Sequence, residues 1–368
     1  MSRRHIPELD GIRGLAVLMV FLLHYWGGAS FKNPVIHSTG VLVSGGWAGV
    51  SLFFVLSGFL ITGIIWDDHD NPGWWKNFYA RRVLRIFPLY YLCVLLVLIT
   101  ALFAGAGTMV LHRIWVLVFY LQNAIDIPSY GSSLGTAHLW SLAVEEQFYL
   151  IWPLIVSRCP DRQVARAVCV GIFLLSLLCR FTMFLTHGLP LFVSLIFVRW
   201  GELSMGCYLA LSYHNPHRWQ RLYRVSRIAF PILLVITLWA GFHRGTFSTV
   251  KMQSLAWGVT LAGLLSGGLL VLALNNRYVG AIFRNSALRR LGTISYGFYL
   301  FHGLLVPVFI WLADETARHI PGIPVPALKF LWAGLLSYLI ASISFRYFEL
   351  PFLKLRGKYR TAGHTASV

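Results

Sequence analysis

The chain has 368 residues, of which 57% are hydrophobic and only 12% charged, with a mean hydropathy of +0.67. Soluble domains carry about 25% charged residues, so this composition excludes an ordinary soluble protein and points to an integral membrane protein. The net charge of +18 would suit a nucleic-acid partner, but the positive residues flank apolar runs, so no nucleic acid is expected and the excess reads as a topology signal.

Taken in order, apolar runs cover 12–27, 49–66, 84–104, 139–157, 168–186, 192–213, 229–243, 254–274, 293–313 and 327–348. Most approach the roughly 20 residues needed to cross about 30 Å of hydrocarbon. The stretch 111–123 is shorter and is expected to be re-entrant or interfacial. Ten crossings then put both termini on one side. That side collects Arg3, Arg4, Lys76, Arg81, Arg82, Arg85, the basic loops 158–166, 214–228 and 275–291, and the tail 354–360. Only Lys32, Arg113, Arg244, Lys251, Arg318 and Lys329 fall opposite, so the basic side is expected to be cytoplasmic. The fold class expected is all-α, a polytopic bundle with one membrane domain over 1–352 and a basic cytoplasmic tail over 353–368. The start, MSRRHIPELDG, shows no small-residue cleavage site, and the first span is expected to be a retained anchor. The five cysteines match no zinc spacing and none falls in an outward loop, so neither a metal nor a disulfide is expected.

Ionisable residues inside apolar runs are costly, about 2.5–3.5 kcal/mol on insertion scales, and usually face a cavity where they act. Arg13 and His24 lie in GIRGLAVLMVFLLHYW. Eleven residues make three turns plus about 20°, placing both on one helix face about 16 Å apart. Glu8 and Asp10 suit the positive N-terminus of that helix. Glu145 and Glu146 lie in HLWSLAVEEQFYLIWPLIV, at a depth that lets one of them meet His24 in the outer half of the membrane. A carboxylate beside an imidazole fixes its tautomer and stabilises the imidazolium, which suits activation of a hydroxyl. The pair about 100° apart on a helix cannot both face His24.

In FYARRVLRIFPLYY, Arg82 and Arg85 are three residues apart on one face, with Arg81 beside them. The guanidinium fork suits phosphate; the same residues also read as a basic flank reaching lipid headgroups. Ser57 lies among small residues of GVSLFFVLSGFLIT and reads either as a substrate contact or as helix packing. Arg199 and Glu202, at i and i+3, are expected to neutralise each other. His302, with Tyr296 and Tyr299, reads equally as an acceptor-pocket lining or a satisfied core histidine. Trp140, Tyr149 and Trp152 fit an interfacial belt or a sugar-stacking wall.

Together, PELDGIRGLAVLMVFLLHYW, GVSLFFVLSGFLIT, FYARRVLRIFPLYY, HLWSLAVEEQFYLIWP and ISYGFYLFH resemble the acyltransferase-3 family of integral membrane O-acyltransferases. The blocks follow the family's order from residue 7 to about 302. The resemblance implies a multi-pass protein of a bacterial inner membrane that moves an acyl group, often acetyl from acetyl-CoA, to a hydroxyl of a surface glycan or lipid-linked sugar. Its Arg-x10-His motif matches Arg13 and His24, its Arg-x-x-Arg motif Arg82 and Arg85, and its Glu-Glu-Gln-Phe-Tyr block Glu145 to Tyr149. Some members carry a C-terminal esterase-like domain; here direct transfer or a separate periplasmic partner is expected instead. On this reading His24 is general base, oriented by Glu145 or Glu146. Arg82, Arg85 and Arg13 or Arg81 hold the donor's phosphates, no cofactor is bound permanently, and Tyr296, Tyr299, Ser57 or a backbone amide supplies the oxyanion donor. A proton-coupled transporter is the rival reading, since it too places His and Glu within spans.

Overall fold

Every regular element of the described residues is helical, as the composition required. A computed structural model describes residues 5–27, 34–103, 114–124, 135–186, 191–244, 257–320 and 322–359. The expectations for Arg3, Arg4, Lys32, Arg113, Lys251 and the tail beyond Tyr359 lie outside them.

The helices are α1 (Pro7–Tyr25), α2 (Pro34–Ser44), α3 (Ala48–Asp68), α4 (Trp74–Phe103), α5 (Ile114–Val118), α6 (Trp140–Val156), α7 (Arg162–Thr186) and α8 (Leu191–Tyr213). They continue as α9 (Pro216–Arg244), α10 (Val259–Asn275), α11 (Arg277–Phe283), α12 (Ser286–Thr293), α13 (Ser295–Leu304), α14 (Val306–His319), α15 (Val325–Ser344) and α16 (Leu350–Leu355). A π-helical turn, Phe345–Glu349, joins α15 to α16.

Five segments are long and apolar enough to cross a membrane: Thr39–Asp68, Trp74–Phe103, Arg162–Leu185, Pro216–His243 and Val325–Tyr359. The count reaches seven if α10 with α11, bent by 104°, and α13 with α14, bent by 66°, each form one span. The remaining apolar runs form α1, α6 and α8, which carry Arg13, the Glu145–Glu146 doublet and the Arg199–Glu202 pair. The described part of the 111–123 stretch holds only the five residues of α5, about 7.5 Å of helix, too short to cross.

Three sequence expectations need correction. The basic segments 158–166 and 214–228 are not simply loops, because α7 and α9 begin inside them. Asp161 Oδ1 accepts from the backbone N–H of Gln163 and Val164, and Asn215 Oδ1 from that of Arg218. These side chains satisfy amides that the helix itself leaves open. The run 229–243, the shortest of the ten, therefore belongs to a helix of 29 residues with Pro231 inside it. Likewise, 275–291 forms α11 and α12, capped by Asn276 and Asn285. The run 293–313 is also broken, at Leu305, two residues before Pro307, which lacks the N–H that would continue the ladder.

The chain divides into two compact units, one of Met1–Ile6, Ile65–Gln147 and Ile294–Val368, the other of Pro7–Ile64 and Phe148–Thr293. In the second, glycines set the helix crossings. A Cβ on Gly58 would collide with the carbonyl of Leu203, and one on Gly206 with that of Val55, so α3 and α8 meet backbone to backbone. Gly11, Gly14 and Gly292 bring α1 against α11 and α12 in the same way. Membrane helices gain no hydrophobic drive from lipid, so close approach through small residues supplies the contact. Gly206→Val is expected to destabilise the protein by about 1–3 kcal/mol or more. Gly171→Ala, with nothing within 4 Å of the new Cβ, should be neutral or slightly stabilising because alanine is the better helix former. Unfolding titrations of the two variants in detergent micelles check the contrast in sign.

Candidate functional site

In the second unit, α1 runs unbroken from Pro7 to Tyr25, so Arg13 and His24 do share a helix at the expected spacing. Glu8 and Asp10 lie in its first turn, as their charge favours. Arg13 pairs with Asp10 at 3.2 Å, and Glu8 with Arg284 at 2.7 Å. His24 stands one residue before the end of α1 with its side chain exposed. Ser57 is half-buried on α3 beside the Gly58 crossing, and Tyr149 is buried. Trp152 donates to Thr62 Oγ1 at 2.8 Å and stacks on Phe148, which makes it a packing residue rather than part of an open wall.

The same unit buries a set of charges that sequence reasoning found only in part. Arg199 and Glu202 pair at 3.1 Å, as expected, and Arg199 also donates to Ser51 Oγ at 3.4 Å. Arg180, on α7, joins them within electrostatic reach of Glu202 and donates to Ser176 Oγ, to the Val198 carbonyl and to Thr260 Oγ1. Arg180, Arg199 and Glu202 are 2%, 5% and 2% exposed, so two guanidiniums share one carboxylate inside the helices. A charged residue in the middle of the run 168–186 was the signal for Arg180. Helices of this unit also form an open apolar pocket of ≈ 500 Å³, lined by Met19, Trp47, Phe184, Phe230, Trp239 and Trp257.

The first unit holds the arginine triad, the glutamates and the tyrosines. Arg81 donates to Asp68 at 2.8 Å and to the Tyr359 carbonyl at 2.9 Å, which commits it to holding the chain ends of α3 and the C-terminal segment together. Arg82 and Arg85 are half-buried one turn apart on α4. Arg82 lies over the Phe78 ring and within electrostatic reach of Glu146; Arg85 lies within reach of the buried Glu349. Glu145 and Glu146 are both half-buried on α6.

Around Glu146 stand Tyr90, Tyr91, Tyr120 and Tyr296, all within its electrostatic reach. Tyr90 and Tyr91 donate to the carbonyls of Leu117 and Val118, and Tyr296 to that of Ile86 at 2.8 Å. The first two bonds seat α5 against α4, and the third ties α13 to α4. Gln147 exchanges amide hydrogen bonds with Asn123 and also holds the Tyr120 carbonyl at 2.8 Å.

A third group joins the start of α6 to α13. Tyr299 donates its hydroxyl hydrogen to the His138 carbonyl at 2.6 Å, so Ser141 Oγ, 2.7 Å from the same oxygen, is the donor in that contact. His302 Nδ1 donates to the Tyr299 carbonyl, and the His138 and His302 rings lie 5.0 Å apart. His302 is buried, and Trp140 is half-buried beside this group in sequence. The hydroxyl hydrogens of Tyr296 and Tyr299 thus go to backbone carbonyls, while that of Tyr120 does not. His138, just before the run 139–157, and Ser141, within it, were not singled out from the sequence and had no signal of their own. No three His, Cys, Asp or Glu side chains gather as a metal site among the described residues.

Several helices long and apolar enough to cross a membrane, packed with helices that carry buried arginines and carboxylates, define a multi-pass helical membrane protein. A family model described as an acyltransferase domain matches residues 6–346, and the chain belongs to that family. It is 27% identical over 382 residues to the peptidoglycan O-acetyltransferase OatA of Listeria monocytogenes, covering 96% of this chain and 56% of that protein. To the O-acetyltransferase OatA of Staphylococcus aureus it is 26% identical over 383 residues, covering 96% of this chain and 58% of that one. The chain thus spans little more than half the length of these relatives. No solved structure matches it.

Proposed function

We propose that this protein transfers an acetyl group from cytoplasmic acetyl-CoA to a hydroxyl of a cell-surface glycan or lipid-linked sugar. The observation that carries the reading is the alignment of 96% of the chain with O-acetyltransferases, together with an accessible His24 on an unbroken α1. Peptidoglycan, named for the Listeria relative, is the acceptor class to test first. On this reading α1, α6 and α8 also cross the inner membrane, giving ten crossings with both termini cytoplasmic.

His24 acts as general base. It takes the proton of the acceptor hydroxyl as that oxygen attacks the thioester carbonyl, and returns it to the thiolate as the carbon–sulfur bond breaks. Glu145 or Glu146 supplies the carboxylate expected beside such a base. Arg82 and Arg85 hold the donor's phosphates, since Arg81 is committed to Asp68 and Tyr359. Arg85→Ala is expected to raise the KM for acetyl-CoA about 10–100-fold, the loss of a charge-assisted hydrogen bond, with much less change in kcat. Arg81→Ala should act on stability instead. Labelled acetyl-CoA supplied to membrane vesicles, with label followed into glycan, tests the assignment. An absence of transfer to any acceptor by folded protein would remove it, and proton-driven uptake without transfer would favour the transporter.

A further inference from the structure

We propose that Tyr120, Gln122 and Glu146 form a subsite for the neutral, amide-bearing arm of the thioester donor. The inference deepens the donor assignment above and rests on it.

The geometry begins with a strained turn. Tyr120 has φ 54°, a left-handed conformation that residues with side chains seldom adopt. It is held there by Gln147 on its carbonyl and by its ring, stacked on Tyr90 at 4.2 Å. Structure that over-determines a strained residue is found where a side chain has to be aimed. Gln122 is fixed next to it, its Nε2 donating to Tyr90 Oη at 3.3 Å and to the Leu139 carbonyl at 3.0 Å.

Within this network, three polar atoms are buried and have no hydrogen-bond partner among the described residues: Tyr120 Oη, Gln122 Oε1 and one oxygen of Glu146. Tyr120 and Gln122 are 6% and 5% exposed, so bulk water does not satisfy them. Buried polar groups are nearly always bonded, and leaving one unmade is costly. The neighbouring hydroxyls of Tyr90, Tyr91 and Tyr296 and the side-chain amides of Asn123 and Gln147 all make hydrogen bonds, which singles these atoms out. They comprise one hydroxyl donor and two acceptors. A secondary amide is their complement, its carbonyl taking the tyrosine hydrogen and its N–H meeting the amide oxygen or the carboxylate. The rings of Tyr90 and Tyr120 supply an apolar wall for the methylenes between such amides.

Position along α4 selects the donor arm over a sugar. Tyr90 lies five residues beyond Arg85 and eight beyond Arg82, about 7.5 and 12 Å of helix rise, and Glu146 is within electrostatic reach of Arg82. A donor with its phosphates on the arginines extends its uncharged pantetheine arm over this distance.

The test uses the full chain in lipid nanodiscs and measures binding of CoA, pantetheine and adenosine bisphosphate, the nucleotide half without the arm. Tyr120→Phe keeps the ring and removes only the orphan hydroxyl, so thermal stability should hold or rise. CoA and pantetheine affinity should fall about five- to tenfold, the worth of one hydrogen bond, while adenosine bisphosphate affinity stays at the wild-type value. Glu146→Gln should weaken CoA and pantetheine likewise, while adenosine bisphosphate affinity holds or rises, because a negative charge within electrostatic reach of Arg82 is removed. The subsite is overturned if CoA binds both variants as tightly as wild type, if the nucleotide half is weakened equally, or if a glycan oligosaccharide is the ligand weakened instead. Failure of wild type to bind either CoA or adenosine bisphosphate would overturn the donor assignment itself.

Discussion

Acetyl transfer is expected to fall about 10²–10⁴-fold when His24 is replaced by alanine, the contribution typical of a positioned general base. The side chain is exposed at the end of α1 and fills no core space, so yield and unfolding behaviour should match wild type. That combination separates a chemical loss from a folding loss. Label transfer in vesicles at saturating acetyl-CoA provides the rate, and a variant as active as wild type would remove His24 from the reaction. His24→Gln should not rescue, because an amide hydrogen-bonds without taking a proton.

Glu202→Leu is expected to produce the largest loss of stability. The change leaves Arg180 and Arg199 buried with no carboxylate between them. Removing one partner of a buried pair costs about 3–5 kcal/mol, because the remaining charge stays desolvated. A compensating second change, Arg199→Met, should recover much of that loss. Arg180 can then rest on Ser176, the Val198 carbonyl and Thr260. Unfolding of the single and double variants in mixed micelles gives the coupling directly. A double-variant loss equal to the sum of the two single losses would show that the charges act independently.

Much of the architecture is legible from composition because hydrocarbon imposes a single test on each run. A segment of about 20 apolar residues satisfies its backbone internally only as a helix. The apolar window measures hydrocarbon, though, and not helix. It therefore misses the first turns of α7 and α9, which Asp161 and Asn215 cap in polar surroundings, and the short helices α11 and α12. It also runs through Leu305, because Pro307 breaks a hydrogen-bond ladder without making the run less apolar.

For the site, the same reasoning located residues that are anomalous where they stand. Arg13, His24, Glu145, Glu146, Arg199 and Glu202 are visible because a charge within an apolar run is costly. Periodicity also placed Arg13 and His24 on one helix, and Arg82 and Arg85 one turn apart, since both spacings are local.

What the sequence by itself determined is thus the helical class, the family and the identity of the charged residues, each a property of composition or near-neighbour spacing. Only the tertiary structure decided which of them are already engaged. Arg81 is bound to a carbonyl 278 residues away, and Tyr299 to one 161 residues away. Tyr120 keeps an unbonded hydroxyl beside Gln122 and Glu146. Such pairings depend on how distant helices pack, and no local pattern of residues encodes which hydrogen bond is made and which is left open.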